Sequence, residues 1–398
     1  MPHFKYLIIG GGMTADAAVR GIRELDSTGS IGLISQEPQR PYNRPPLSKA
    51  LWKGEKIDTI WRQTETQRVE LILGRKVVRI DPQSRRVEDD KGSSHNYERA
   101  LLATGGKPRR LPYGGDQIIY FRTLEDYQHL RKMSEQGARR FAVIGGGFIG
   151  SEIAAALAMS KMEVVMIFPE TGIGARLFPE DLAGFLNRFY TDKGVEVLAG
   201  ETITDLAARG THVSLKAQNL KTRQESEILV DGVIAGLGIE PNVELATAAG
   251  LRVENGIVVD EFLRTSDPNI YAAGDVANFN SPVLGKRLRV EHEDNANTMG
   301  RAAGRAMAGD STPYQHLSLF YSDLFELGYE AVGELDSRLE TIADWKEPYR
   351  QGIVYYLQEG RVRGVLLWNV WEKVDVARKL ISEPGPFKPD NLKGRIAA

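Results

Sequence analysis

Apolar residues come in short runs, each broken by a glycine or a polar turn and followed by a helical repeat. The run Tyr6-Leu7-Ile8-Ile9 predicts a buried strand, 15–25 an amphipathic helix and 31–35 a second strand. That order returns later, with a strand over 141–144, a helix starting at once, and a strand over 163–168. In between, 71–80, 86–89 and 97–104 read as short strands. Thr123 caps a helix to about 135, and the acid three residues on, Asp126, completes a capping box. Alternation over 195–198, 212–217 and 227–235 predicts a small antiparallel ribbon, with a strand at 270–275 and a helix at 295–308 after it. Past residue 314 the texture changes: 352–357 and 361–367 form a hairpin around Gln358-Glu359-Gly360. A helix over 371–381 and a Pro/Gly-rich tail follow. This pattern predicts an α/β chain with two Rossmann-like dinucleotide-binding domains and a C-terminal α+β domain.

The two glycine turns carry the first chemistry. Gly145, Gly147 and Gly150 follow a strand and open a helix, the context in which G-x-G-x-x-G marks a dinucleotide site. The first glycine allows the tight turn, the second lets a pyrophosphate approach, and the third packs helix on strand. Gly146, Phe148 and Ile149 complete that turn, whose free N–H groups face the phosphates. An earlier copy runs through Gly10, Gly12, Met13, Thr14 and Ala15. A duplicated unit is far more specific than one motif, and two sites suggest a flavin and a nicotinamide exchanging electrons. An acid about 20 residues past each motif should bind ribose hydroxyls. Gln36 and Glu37 stand there in the first unit, with the role assigned to Glu37, and Glu170 stands there in the second. A carboxylate at that place repels a 2′-phosphate, so NADH is expected over NADPH; Arg176 lies near enough to complicate this.

Composition narrows the function. The 398 residues suggest two or three domains, and a net charge of −2 gives no general pull toward nucleic acid or acidic membranes. No apolar run approaches the ~18 residues of a membrane span. With a strand starting close to Met1, no signal segment is expected and the protein reads as cytoplasmic. Cysteine is absent, which excludes a Cys-x-x-Cys relay and thiolate ligation of an internal iron–sulfur cluster. No metal site is expected. Electrons must leave from the flavin itself.

Further motifs make the family recognisable. PYNRPPLSK (41–49) sets Arg44 and Lys49 on a proline-stiffened loop, ATGG (103–106) contains Ala103, Thr104 and Gly105, and GLGIEPN (236–242) contains Gly238. AAGD (272–275) ends in Gly274 and Asp275, and VEH (290–292) in Glu291 and His292. With these, the chain resembles the FAD-dependent pyridine-nucleotide reductases, in their apoptosis-inducing-factor-like and ferredoxin-reductase-like branch, over roughly 4–381. The resemblance implies an FAD domain split into 1–112 and 242–313, an NAD domain at 113–241 inserted in it, and a C-terminal α/β domain at 314–398. It implies FAD contacts from Gly10, Gly12, Ala15, Arg44, Lys49, Val78, Arg109 and Asp275. Lys49 and Glu152 match a pair beside the flavin N5, and Phe148 the aromatic guarding the nicotinamide pocket. His292 matches the helix start at the flavin pyrimidine, where N–H groups stabilise negative charge. Gly147, Glu170, Arg176 and Gly238 match NAD contacts, and Tyr321, Glu330, Trp368 and Asn369 match the nicotinamide side of the C-terminal domain. Three departures stand out. Gln36 replaces an acid, Tyr321 stands where vertebrate apoptosis-inducing factors have Trp, and the inserts of the mitochondrial members are missing. The expectation is an NADH-dependent FAD oxidoreductase. Its rivals are a reductase of a small electron-transfer protein (ferredoxin or rubredoxin) and a redox sensor whose long-lived NADH charge-transfer complex controls homodimer formation or partner binding.

Overall fold

The computed structural model describes residues 2–397. The chain packs into two compact units, Met1–Asn43 with Asp58–Lys107 and Glu240–Phe320, and Arg44–Ile57 with Pro108–Ile239 and Tyr321–Ala398.

The first unit is built on a parallel sheet. His3–Ile9 lies between Ile31–Ser35 and Ser94–Leu102, with Val69–Leu73 outside Ile31–Ser35 and Ile270–Ala272 also on Ser94–Leu102. Val77–Asp81 and Arg86–Asp89 extend it as an antiparallel wing. The helix Met13–Arg23 packs on Glu293–Met307 almost backbone to backbone. A Cβ on Gly304 would stand 2.0 Å from the Ala18 carbonyl oxygen, and one on Gly300 2.4 Å from that of Thr14. Only glycine allows this approach. Buried Asp16 sits on the same helix and binds Arg20 at 2.9 Å, Arg62 at 2.7 Å and Thr64 at 2.7 Å. Burial alone would raise its carboxyl, but these donors overcome it and hold the pKa below the ordinary range.

The second unit holds another parallel sheet, in the order Val195–Ala199, Glu163–Phe168, Arg140–Ile144, Gly232–Ala235, Ile118–Tyr120. A three-stranded antiparallel ribbon, Glu201–Arg209, His212–Asn219 and Glu225–Val230, joins it. At its C-terminal end a five-stranded sheet runs Leu319–Leu324, Leu327–Gly333, Arg361–Trp368, Gln351–Gln358, Glu340–Glu347. The helix Val374–Ser382 packs on its Leu327–Gly333 and Arg361–Trp368 strands.

This is the α/β architecture expected, with local corrections. The stretch 71–80 is two strands, parted at Gly74, whose φ is +64°. Residues 195–198 belong to the parallel sheet, and the ribbon's first strand is Glu201–Arg209. The run 227–235 divides at Asp231, whose carboxylate takes the Arg139 and Arg140 N–H groups at 2.6 and 2.9 Å. That hands Gly232–Ala235 to the parallel sheet. Helices begin at Met13, Glu293 and Val374 in place of 15, 295 and 371. The Thr123–Asp126 capping box is present. Pattern reading did not find the helix Glu180–Asp192 or the strands Leu327–Gly333 and Glu340–Glu347. Among the described residues no helix is long and apolar enough to cross a membrane.

Gly304→Ala is expected to destabilise the protein by about 1–3 kcal/mol, because the two backbones must part. In contrast, Gly184→Ala, in the helix Glu180–Asp192, meets only the Arg188 guanidinium at 3.9 Å. That variant should gain up to about 1 kcal/mol. Urea midpoints of both variants check the pair.

Candidate functional site

Each unit presents one glycine turn, and both fit a pyrophosphate. Gly10 and Gly145 have φ of +129° and +111°, and a Cβ would strike the carbonyls of Ala103 at 2.1 Å and Gly236 at 2.4 Å. Gly12 and Gly147 face open space instead, with nothing within 4 Å of a Cβ. Both are N-caps without a side-chain cap, so the first-turn N–H groups stay available to an anion. Gly150 touches the turn from behind, its virtual Cβ 1.9 Å from the Gly145 oxygen, while Ala15 fills the matching place in the first unit.

Around the first turn, Glu37 follows the strand Ile31–Ser35 and accepts the Tyr42 hydroxyl at 2.6 Å. Gln36 beside it is exposed, and Val78, on the outer wing, is half-exposed. Thr104 and Gly105 are tied to Asn242, whose side chain donates to the Thr104 carbonyl at 2.8 Å. Thr14 lies against Gly274, where a Cβ would be 2.2 Å from the threonine hydroxyl. Arg289 donates to the Asp275 carbonyl at 3.0 Å and pairs with Glu291 at 2.6 Å. His292 is the N-cap of Glu293–Met307, its ring stacked on Phe320 at 4.4 Å. Burial pushes its imidazole down to about 4, against the pull of Asp275 and Asp294. His292 is therefore neutral at pH 7, and any positive potential there comes from the helix start.

In the second unit, Glu152 is buried on the first turns of Phe148–Met159. Its Oε1 takes the Lys49 ammonium at 2.5 Å and the Ser322 hydroxyl at 2.6 Å, and its Oε2 takes Ser48 at 2.6 Å. The Lys49 Nζ also lies 5.0 Å from the centre of the half-exposed Tyr321 ring. Neither Ser48 nor Ser322 was singled out from sequence; Ser48 adjoins Lys49, while Ser322 carries no pattern. Phe148 and Ile149 are partly exposed at the helix start. Glu170 pairs with Arg176 by contacts of 2.5 and 2.8 Å, with the guanidinium largely exposed. Arg44 donates to the Arg122 carbonyl at 2.8 Å, and the Arg109 N–H to the Gly238 carbonyl at 3.0 Å. Glu330 has a buried Oε2 without a hydrogen-bond partner. Burial raises its carboxyl above the ordinary range, with the Glu372 charge adding to this against a backbone hydrogen bond from the same residue. Such an orphaned acceptor fits an amide donor like the nicotinamide carboxamide. Two residues are used otherwise. Trp368 is fully buried, stacked on Tyr329 with its indole N–H on the Tyr349 carbonyl. Asn369 binds the Gly328 N–H and the Arg350 carbonyl, so its amide closes loops.

The comparisons decide the family. A model described as pyridine nucleotide-disulphide oxidoreductase matches residues 4–300. The chain belongs to that family. A second model, the C-terminal part of mitochondrion-associated apoptosis-inducing factor, matches residues 303–348 and 343–383. The mitochondrial apoptosis-inducing factor 1 of Dictyostelium discoideum is 33% identical over 95% of this chain and 78% of its own. Putidaredoxin reductase of Pseudomonas putida is 30% identical over 97% and 93%. Among solved structures, the covalent putidaredoxin reductase–putidaredoxin complex matches with a TM-score of 0.89 at 30% identity, covering 98% of this chain and 95% of that one. As a pyridine nucleotide-disulphide oxidoreductase of this branch, the chain is an FAD-dependent oxidoreductase that uses NAD(H). It does so without the disulphide of the family's name, since it has no cysteine.

His292 gives a pH test. Its native value lies below the ordinary 6.5, so between about 6.5 and 4 the unfolded chain takes up a proton that the native state refuses. Stability should fall across that window as pH drops, by roughly 3 kcal/mol at most from this group. His292→Asn should flatten that part of the profile in urea unfolding measured at stepped pH. Parallel profiles would contradict it.

Proposed function

We propose that this protein takes a hydride from NADH and passes the electrons to a small iron–sulfur protein. The single observation that carries this reading is the end-to-end likeness to a reductase solved in complex with putidaredoxin. The missing cysteines support it, because no thiol of this chain can hold the electrons on the way out. Bound FAD supplies the two-electron acceptor for the hydride and can release electrons singly.

The chain's own residues bind, orient and balance charge. The first-turn N–H groups after Gly12 and Gly147 hold the two pyrophosphates, and Glu37 and Glu170 take ribose hydroxyls. Paired with Arg176, Glu170 favours NADH over NADPH. Lys49 would supply a cation to the bound flavin as it takes up negative charge, and Glu152 fixes the position of that cation. Such preorganised charge in a dry pocket needs no reorganisation during the reaction. Phe148 would cover the nicotinamide, and Glu330 would accept from its carboxamide and so orient the ring.

NADH turnover with an added [2Fe–2S] ferredoxin should be far faster than with oxygen alone. Equal rates with and without the ferredoxin would overturn this reading.

The match of 303–383 to the apoptosis-inducing-factor C-terminal region supports a second reading, a redox sensor. In that case the NADH-reduced protein should persist in air with a long-wavelength charge-transfer band, and light scattering should show a homodimer appear with it. Fast reoxidation at constant mass would remove the sensor reading.

A further inference from the structure

Glu152 has more donors than a simple ion pair requires. At 4% exposure the carboxylate has lost its water, and one ammonium cannot satisfy both oxygens. Two hydroxyls complete the set, from the turn Pro45–Ser48 and from the strand Leu319–Leu324. Ser48 and Lys49 are neighbours in sequence, yet both reach the same carboxylate. The backbone breaks at Lys49 (φ −130°, ψ −96°) between two short 3-10 turns, which turns both side chains the same way.

Ser322 is itself held from behind. Its hydroxyl is hydrogen-bonded to Tyr329, a fully buried ring. That ring is locked between Trp368, stacked at 5.7 Å, and Phe178, edge-on at 5.3 Å. A serine has one hydroxyl proton; given to Glu152, it leaves a lone pair for Tyr329. The titratable groups facing Glu152 are Lys49, Tyr329 and Tyr190. Burial first, and then the Glu152 charge, hold both tyrosines well above their ordinary range, and the Tyr190 hydroxyl is spent on the Ser151 carbonyl at 3.0 Å. Neither tyrosine therefore adds a charge. Lys49 and the two serines are the donors that face the carboxylate.

We propose that Ser48 and Ser322 are positioning residues, which hold the Glu152 carboxylate in place and thereby keep the Lys49 ammonium aimed and balanced throughout turnover. This rests on the reading of Lys49 as the cation at the flavin edge. Losing one hydroxyl leaves an oxygen of a buried carboxylate without its donor, which favours the neutral form.

The test uses Ser48→Ala/Ser322→Ala protein, with each single variant alongside in case the double does not fold. Infrared spectra of the FAD-loaded variant should gain, as pH falls, a protonated-carboxyl band that the unsubstituted protein lacks at the same pH. Adding Glu152→Gln should abolish the band, and Ser322→Thr, which keeps the donor, should show none. In FAD-loaded protein, the rate of flavin reduction by NADH should acquire an ionisation in the same range, with KM for NADH unmoved. A Glu152 that stays ionised in the variants overturns the proposal. A new carboxyl band without any change in the flavin's pH profile would uphold the serines' hold on Glu152 and instead overturn the flavin-edge reading.

Discussion

A lysine and a glutamate buried against each other, 2.5 Å apart, set the constraint on which the site depends. Removing two charges from water costs several kcal/mol per ion, and attraction offsets this only when every remaining lone pair finds a donor. The chain meets that demand with residues from three places: the proline-rich turn, the second glycine helix and the C-terminal sheet. Removing Lys49 leaves an uncompensated buried charge, and removing a serine leaves a carboxylate oxygen short of a donor. Such a pair contributes little to stability compared with a well-packed apolar core, so its value lies in a fixed positive charge in a dry place.

The glycine turns solve a different problem with the backbone alone. A left-handed φ at Gly10 and Gly145, open space beside Gly12 and Gly147, and uncapped helix starts together form a cradle for anions. No side chain takes part, so the motif survives duplication with everything around it changed. An acid stands after the second strand of each unit, Glu37 held by Tyr42 and Glu170 by Arg176.

What was legible in the sequence follows from these differences. Backbone demands leave glycines at fixed spacing, so both turns, their strands and the α/β class could be read directly. Strand boundaries set by a single polar residue, as at Asp231, escaped a reading based on hydrophobic alternation. Lys49 and Glu152 were found through motifs around them. Ser322 was not, because its only signal is a hydrogen bond to a residue 170 positions away. Trp368 and Asn369 show the opposite case, where a likeness of position suggested a ligand contact but packing and loop closure occupy the side chains. Asp16, buried with two arginines and a threonine, carries no signal in its sequence neighbours either.

In the proposed function the ammonium of Lys49 is the point at which fold, electrostatics and electron transfer meet. Stopped-flow reduction by NADH, without oxygen, of Lys49→Met protein carrying its FAD tests this most directly. Methionine keeps the length and apolar stem but removes the charge, so flavin reduction should slow by at least about tenfold or the FAD should loosen. Wild-type reduction with full FAD occupancy would contradict the account.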